Sequence, residues 1–425
     1  MAWPTMTLAQ AGVALIDCVH ATPAAMTAGL PYIAIPQMKD GRLDFDGARK
    51  ISRADFIEWT RKARPQRHDI VLSRRTNPGV IAPVLDDTEF ALGQNLVLLR
   101  ADGQTVALSF LRWLASSPYW WDQIAKFNNV GAIFDSLRCA DVPNFELPIP
   151  PISEQLRIAD LLAALDDKIE LNRRMNATLE RQARALFRDW FVDFGPTRAK
   201  QTGAPAYLVP DLWNLFPATL DPEGKPEGWE ERPLDTIAEF LNGLALQKFP
   251  AQPGMPSLPV IKIAELRSGI TANSNRASLD VPQKYVIEDE DFLFSWSGSL
   301  LAKFWTEGRG ALNQHLFKVS SAEFPAWFFS QWVWHHLEEF QSIAASKATT
   351  MGHIQRGHLS AAMTMCPPPG TLAALGQVMQ PLQDRVLSNL LESRTLAQTR
   401  DLLLPKLMSG EIRVRDAEDV AGLSR

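Results

Sequence analysis

The chain has 425 residues, 46% of them hydrophobic and 21% charged, with a net charge of −5. It is too long for one ordinary core, so two or three domains are expected. Its three scattered cysteines (Cys18, Cys139, Cys366) exclude a disulfide framework and point to a reducing compartment. The uncharged Met1–Gln10 gives no basic-plus-apolar signal, and the most apolar run, Phe324 to Trp334, is shorter than the roughly 20 residues that span a bilayer. The expected address is the cytoplasm.

The first globular part reads as mixed α and β, with strands over 32–35, 70–73 and 96–99. Between Arg42 and Arg75 ten basic residues face five acidic ones, an excess that suits phosphate or simply a solvated surface. A tryptophan-rich helical stretch, 110–127, follows, its rings expected in the core. After Pro148, Pro150 and Pro151 a heptad seam begins at Ile158 and runs through Leu162, Leu165, Ile169, Asn172, Asn176, Leu179, Ala183 and Leu186 to Trp190. Such a helix is roughly 50 Å long at 1.5 Å per residue. The proline-rich stretch 195–227 reads as a linker.

The second half repeats this order. Strands are expected over 260–263, 292–295 and 316–319, a tryptophan-rich helix over 327–340, and a seam from Leu375 through Met379, Leu382, Val386, Asn389, Ser393, Leu396, Arg400 and Leu403 to Leu407. Leu165-Asp166-Asp167-Lys168-Ile169 returns as Leu382-Gln383-Asp384-Arg385-Val386, and Asn172 as Asn389, both at an offset of 217. Pro31–Ile35 returns as Pro259–Ile263 at an offset of 228, Asp69–Ser73 as Asp291–Ser295, and Ala91–Leu96 as Ala311–Leu316. Offsets that hold in the helices and drift in the globular parts mean a duplicated unit, a domain followed by a helix. The fold expected is α+β: two similar mixed domains, with the two long helices packed as an intramolecular antiparallel coiled coil. Asn172 and Asn389 either fix its register or face solvent at a wobble in the seam.

Signatures of catalysis are missing. No phosphate loop, HExxH, CxxC or GxSxG occurs, and Asn313 stands where a dinucleotide fingerprint started by Gly308-Arg309-Gly310 needs glycine. His335, His336, His353 and His358 lack cysteine or acidic partners at ligand spacing, so no metal is expected. Asn77-Pro78-Gly79 lacks the second proline and the aromatic of an adenine-methyltransferase motif.

The run Leu147-Pro148-Ile149-Pro150-Pro151-Ile152-Ser153-Glu154-Gln155, then Leu165 to Asn172, Leu186-Phe187, Trp190 to Phe194, Gly228-Trp229 and Leu403 to Ile412 together resemble the specificity subunits of type I restriction–modification systems. The second copy departs from the pattern, with Gly370-Thr371-Leu372 after Pro369 in place of a Glu-Gln pair. The resemblance implies target-recognition domains at 1–147 and 228–366, helical spacers at 148–194 and 367–410, a linker at 195–227 and a tail at 411–425. It implies a non-catalytic subunit that reads a split double-stranded DNA site, with spacer length setting the gap between half-sites. Partners would be two modification subunits and motor–nuclease subunits; S-adenosylmethionine, ATP and Mg would sit on those partners, not here.

Candidate DNA-reading residues are Arg74, Arg75, Thr76 and Asn77, which follow a strand at a turn, since arginine matches guanine and asparagine adenine. Their counterparts are Trp296, Ser297, Ser299 and Lys303. Gln94-Asn95 and Gln314-His315 recur at equivalent positions, leaving folding and reading roles both open. Two rivals are a fused methyltransferase–specificity protein, for which the chain lacks space, and a coiled-coil DNA-binding regulator, which would carry a short helix-turn-helix reader.

Overall fold

A computed structural model describes residues 3–39, 41–128, 135–346 and 352–420. The chain forms two compact units, 1–168 with 396–425, and 169–395. Both boundaries fall inside the long helices, Ile152–Phe187 and Pro369–Ser409. Each unit therefore owns one stretch of each helix, a division that domain boundaries drawn along the sequence do not express.

The first unit is built on an antiparallel sheet in the order Val13–Asp17, Leu96–Ala101, Ile70–Ser73, Ile81–Pro83. Leu96 to Leu99 and Ile70 to Ser73 are fully or almost fully buried, which is why they read as continuous apolar runs rather than alternating ones. Beside it Leu30–Ile33 pairs in parallel with Ala91–Leu92 and antiparallel with Arg49–Ile51. Thr5–Thr7 pairs with Glu146–Pro148 and delivers the chain to the first long helix. Trp113 and Trp120 lie in the core, as the tryptophan-rich pattern suggests, whereas Trp121 is 45% exposed. The same core takes in Ile158, Leu162 and Leu165 of the first helix with Leu403, Leu407 and Met408 of the second, which run antiparallel there.

The second unit repeats the plan in its own sequence. Its main sheet runs Glu239–Asn242, Leu316–Ser320, Phe292–Ser295, Ala302–Phe304. Ser257–Ile261 pairs in parallel with Gly310–Leu312, and Glu230–Pro233 pairs with Met363–Cys366 before the second helix. The strand expected over 260–263 lies two to three residues earlier, because the helix Ile263–Ser268 starts there, with the Glu265 carboxylate accepting from the Lys262 backbone N–H at 3.1 Å. In both units the aspartate before the central strand is clasped by a neighbouring cation: Asp69 by Arg100 at 2.6 Å and Asp291 by Lys318 at 2.7 Å.

Within the second unit the helices meet around a polar knot. Asn172 and Asn389 are both essentially inaccessible, at 0% and 1% exposure, so neither faces solvent. The Asn389 amide donates to Asn176 Oδ1 at 2.8 Å, and Asn172 donates to Glu392 at 2.8 Å and Ser393 Oγ at 3.3 Å. Adding 217 to Asn172 gives Asn389, and adding 217 to Asn176 gives Ser393, so the contacts 172–393 and 176–389 exchange. That is the signature of a local pseudo-twofold axis. The Oδ1 atoms of Asn172 and Asn389 stay buried without a partner.

The stretch 195–227 is more than a loose connector. It carries the helices Gly195–Gln201 and Pro210–Trp213, and Phe216 is buried against the rings of Trp190 and Trp229. Its apolar residues, Leu208, Leu212 and Leu215, dock on the aromatic core, which offsets the entropy that prolines alone would leave to a linker.

Candidate nucleic-acid interface

The sequence candidates converge on one end of each main sheet. Ser73 closes the central strand opposite Leu96, and Ser295 closes its counterpart opposite Leu316. Immediately beyond, Arg74 N–H donates to the Asn95 carbonyl at 2.9 Å and Trp296 N–H to the His315 carbonyl at 3.3 Å. A later segment closes the same edge in both units: Leu137 N–H donates to the Arg74 carbonyl at 2.9 Å, and Ile354 N–H to the Trp296 carbonyl at 3.0 Å. Bridges join Arg75 to Ser136 and Ser297 to His353. Hydrogen bonding thus makes Arg74 equivalent to Trp296, Arg75 to Ser297, Asn95 to His315 and Ser136 to His353. The edge strand adds Asp17, opposite Val97, and Asn242, opposite Phe317.

The two ends share a backbone and differ in chemistry. In the first unit Arg75, Thr76 and Asn77 are exposed, and Thr76 holds φ at +66°, strained for a β-branched residue. Arg74 is half-buried, and its Nε is enclosed with no hydrogen-bond partner. Asn95 adopts φ of +68°, which asparagine tolerates, so part of its role is to turn the chain. Gln94 is exposed and donates to Thr22 Oγ1 at 3.2 Å. Asp17 holds His20 at 2.9 Å.

Asp17, Cys18 and His20 each offer one ligand atom within 4.8 Å of the others. The thiol, however, donates to the Gly93 carbonyl at 3.4 Å, and burial pushes its pKa up to about 11. A neutral thiol turned to a carbonyl is poorly set for a metal, which needs the thiolate.

In the second unit the Trp296 indole donates to Asn242 Oδ1 at 2.9 Å and to the Gln314 carbonyl at 3.2 Å. Ser297 is 3% exposed, with its hydroxyl 3.0 Å from His315 Nδ1. Gln314 Nε2 lies 3.4 Å from His315 Nε2. His353 meets Trp296 edge to face, the ring centroids 6.4 Å apart. Ser299 is exposed at the turn, and its carbonyl accepts from Ser295 Oγ at 2.9 Å. Lys303 lies within a strand, opposite Leu293, and burial holds its ammonium below the usual lysine range. Part of the basic stretch is paired locally: Arg53 and Arg64 share Glu89, at 2.8 and 2.5 Å.

Sequence reasoning did not single out Asp17, His20, Ser136 or Asn242, and weighed His353 only as a metal ligand. The short edge strands carry no repeated residue pattern, and Ser136 and His353 come to the sheet end only through pairing across the fold.

Against this geometry, residues 23–181 match the family model of the type I restriction modification DNA specificity domain. The MjaIX type I restriction enzyme specificity subunit of Methanocaldococcus jannaschii is 24% identical over 67% of this chain and 65% of its own length. The HindI specificity subunit of Haemophilus influenzae is 25% identical over 66% of this chain and 72% of its own. Over these stretches the chain is similar to specificity subunits of type I restriction enzymes. The match therefore spans just under two thirds of the length of the archaeal specificity subunit. A crystal structure of the type I restriction–modification S subunit from M. genitalium superposes over 95% of this chain and 96% of that one, with a TM-score of 0.51 and 16% identity. At that identity the likeness is one of fold. Among the described residues no helix is long and apolar enough to cross a membrane.

Proposed function

We propose that this chain is a specificity subunit that recognises a split, asymmetric site on double-stranded DNA and directs adenine methylation and restriction by partner subunits. The observation that carries the reading is the duplicated sheet end: two backbones of one design carry unlike residues at equivalent places, Arg74 and Arg75 in one and Trp296 and Ser297 in the other. Equal scaffolds with unequal chemistry suit two different half-sites in one target. On this reading residues 1–147 and 228–366 are the recognition domains. Residues 148–194 and 367–410 are the spacer helices, 195–227 joins the copies and 411–425 is the tail.

The chain itself catalyses nothing. Two modification subunits dock on it and bring S-adenosylmethionine; motor–nuclease subunits bring ATP and Mg, and the complex works in the cytoplasm. The test is co-expression with the cognate modification subunit in a host free of other methylation, followed by long-read methylome sequencing. One bipartite, non-palindromic adenine motif is expected, and none without this chain. A palindromic or unsplit motif overturns the reading.

A further inference from the structure

Resting on that reading, we infer that Asp17 with His20 in the first unit and His353 in the second are base-reading residues, and that Trp296, Ser297 and Asn242 position their unit's readers. The register-equivalent sheet ends carry the argument. Asp17 ends the edge strand on the far side of Leu96–Ala101 from Arg74's strand, and its side chain and that of His20 are 37% and 46% exposed. The pair combines an acceptor with an imidazole, the chemistry that takes an exocyclic amino group such as cytosine N4 on a groove edge. Arg74, half-buried at the end of its strand, carries a guanidinium whose outer N–H groups are the complementary donors for guanine O6 and N7. Together they fit a half-site containing a G·C pair.

The second unit has exchanged this charged set for neutral groups. Trp296 spends its only donor inside the protein, on Asn242 Oδ1 and the Gln314 carbonyl, so it can give no hydrogen bond to a base. Ser297 is too buried to touch DNA, yet its hydroxyl meets His315 Nδ1 and thereby fixes the ring. The residue bridged to Ser297 is His353, half-buried at the same edge where Ser136 stands in the first unit. An imidazole held against the Trp296 ring presents one donor or acceptor at a fixed place, as direct readout requires.

The experiment compares Asp17→Asn, His20→Gln and His353→Gln in the full chain, each co-expressed with the modification subunit, by methylome sequencing and by binding to duplexes altered at single positions. Asp17→Asn and His20→Gln are expected to relax or change one position in one half-site, with discrimination there falling between about 5- and 150-fold. His353→Gln is expected to do the same in the other half-site only. Ser297→Ala is expected to weaken discrimination in the second half-site, with partial retention in Ser297→Thr, which keeps the hydroxyl. Thermal melting identifies variants that fold like the parent, and the isosteric Asp17→Asn serves if a bulkier change unfolds the edge. Folded variants that methylate the parent motif with unchanged discrimination overturn this inference alone. Equal loss on all sequences marks phosphate contacts and overturns it too. A parent chain that directs no split motif overturns the proposed function along with it.

Discussion

Replacing Asn176 and Asn389 together by leucine is expected to stabilise the second unit while loosening helix register. The two side chains are 6% and 1% exposed and hydrogen-bond each other at 2.8 Å. Removing both partners at once leaves neither unpaired, so loss of that bond is nearly neutral, and the orphaned Asn389 Oδ1 disappears, a relief of about 1–3 kcal/mol. Each buried leucine contributes about 1.5–3 kcal/mol, against about 1–3 kcal/mol for crowding the seam. The net expectation is about 3 kcal/mol of stabilisation. Hydrogen exchange reads it locally: amides between Asn172 and Ala183 should exchange roughly 100-fold more slowly, up to the limit of global opening. The methylome should then show more than one gap length between unchanged half-sites, because the Asn176–Asn389 bond no longer penalises a slipped seam and only the Asn172 contacts remain. Faster exchange, or a net loss of stability, refutes the argument that these asparagines trade stability for register.

Gln155 is fully buried and donates to the Thr105 and Pro150 carbonyls at 2.8 and 2.7 Å while accepting from Ala107 N–H at 2.8 Å; Gln155→Ala should cost the first unit about 3 kcal/mol in calorimetry. Arg74→Ala should relax one position of one half-site with little change in the salt dependence of binding, whereas a lost phosphate contact would lower that slope by about 1. Inserting four residues after Asn176 should lengthen the unread gap by one to two base pairs, from a helical rise of about 1.5 Å per residue, without altering either half-site in the methylome. Asp289 is held below the usual carboxylate range by the Arg394 guanidinium at 2.7 Å. Its contribution to stability is full above the unfolded carboxyl value near 4 and is lost as pH falls through the lower folded value; acid titration of Arg394→Met should lose that part of the transition.

The features legible in the sequence were those with a period or a repeat. The seam positions from Ile158 to Leu165 and from Leu403 to Leu407 are buried because 3.5-residue spacing places them on one face. Ile70–Ser73 and Phe292–Ser295 are strands at the expected residues. Arg74 and Trp296 stand at the sheet ends because a strand that stops at a turn must present the next residue there. Hydrogen bonding across long separations was not legible. That Trp296 reaches back to Asn242, that Ser297 meets His315, and that Ser136 and His353 close the edge depend on pairing that no local pattern encodes. Lys303 shows the same limit: named as a counterpart of the first-copy candidates, it pairs across the sheet with Leu293, where burial holds its ammonium below the usual lysine range.

Residues 403–417 complete the core of the first unit. Leu403, Leu404, Leu407, Met408, Val414 and Ala417 pack with residues that begin at Leu8, and the Trp3 indole donates to the Leu407 carbonyl at 3.0 Å. On the ribosome, the whole of 169–395 must emerge between the two parts of that unit. At about 5–20 residues per second the nascent first unit waits roughly 10–45 s with an apolar helix face uncovered. Its burden is thus one of timing: the segment synthesised first completes its core only when the segment beyond 395 has emerged.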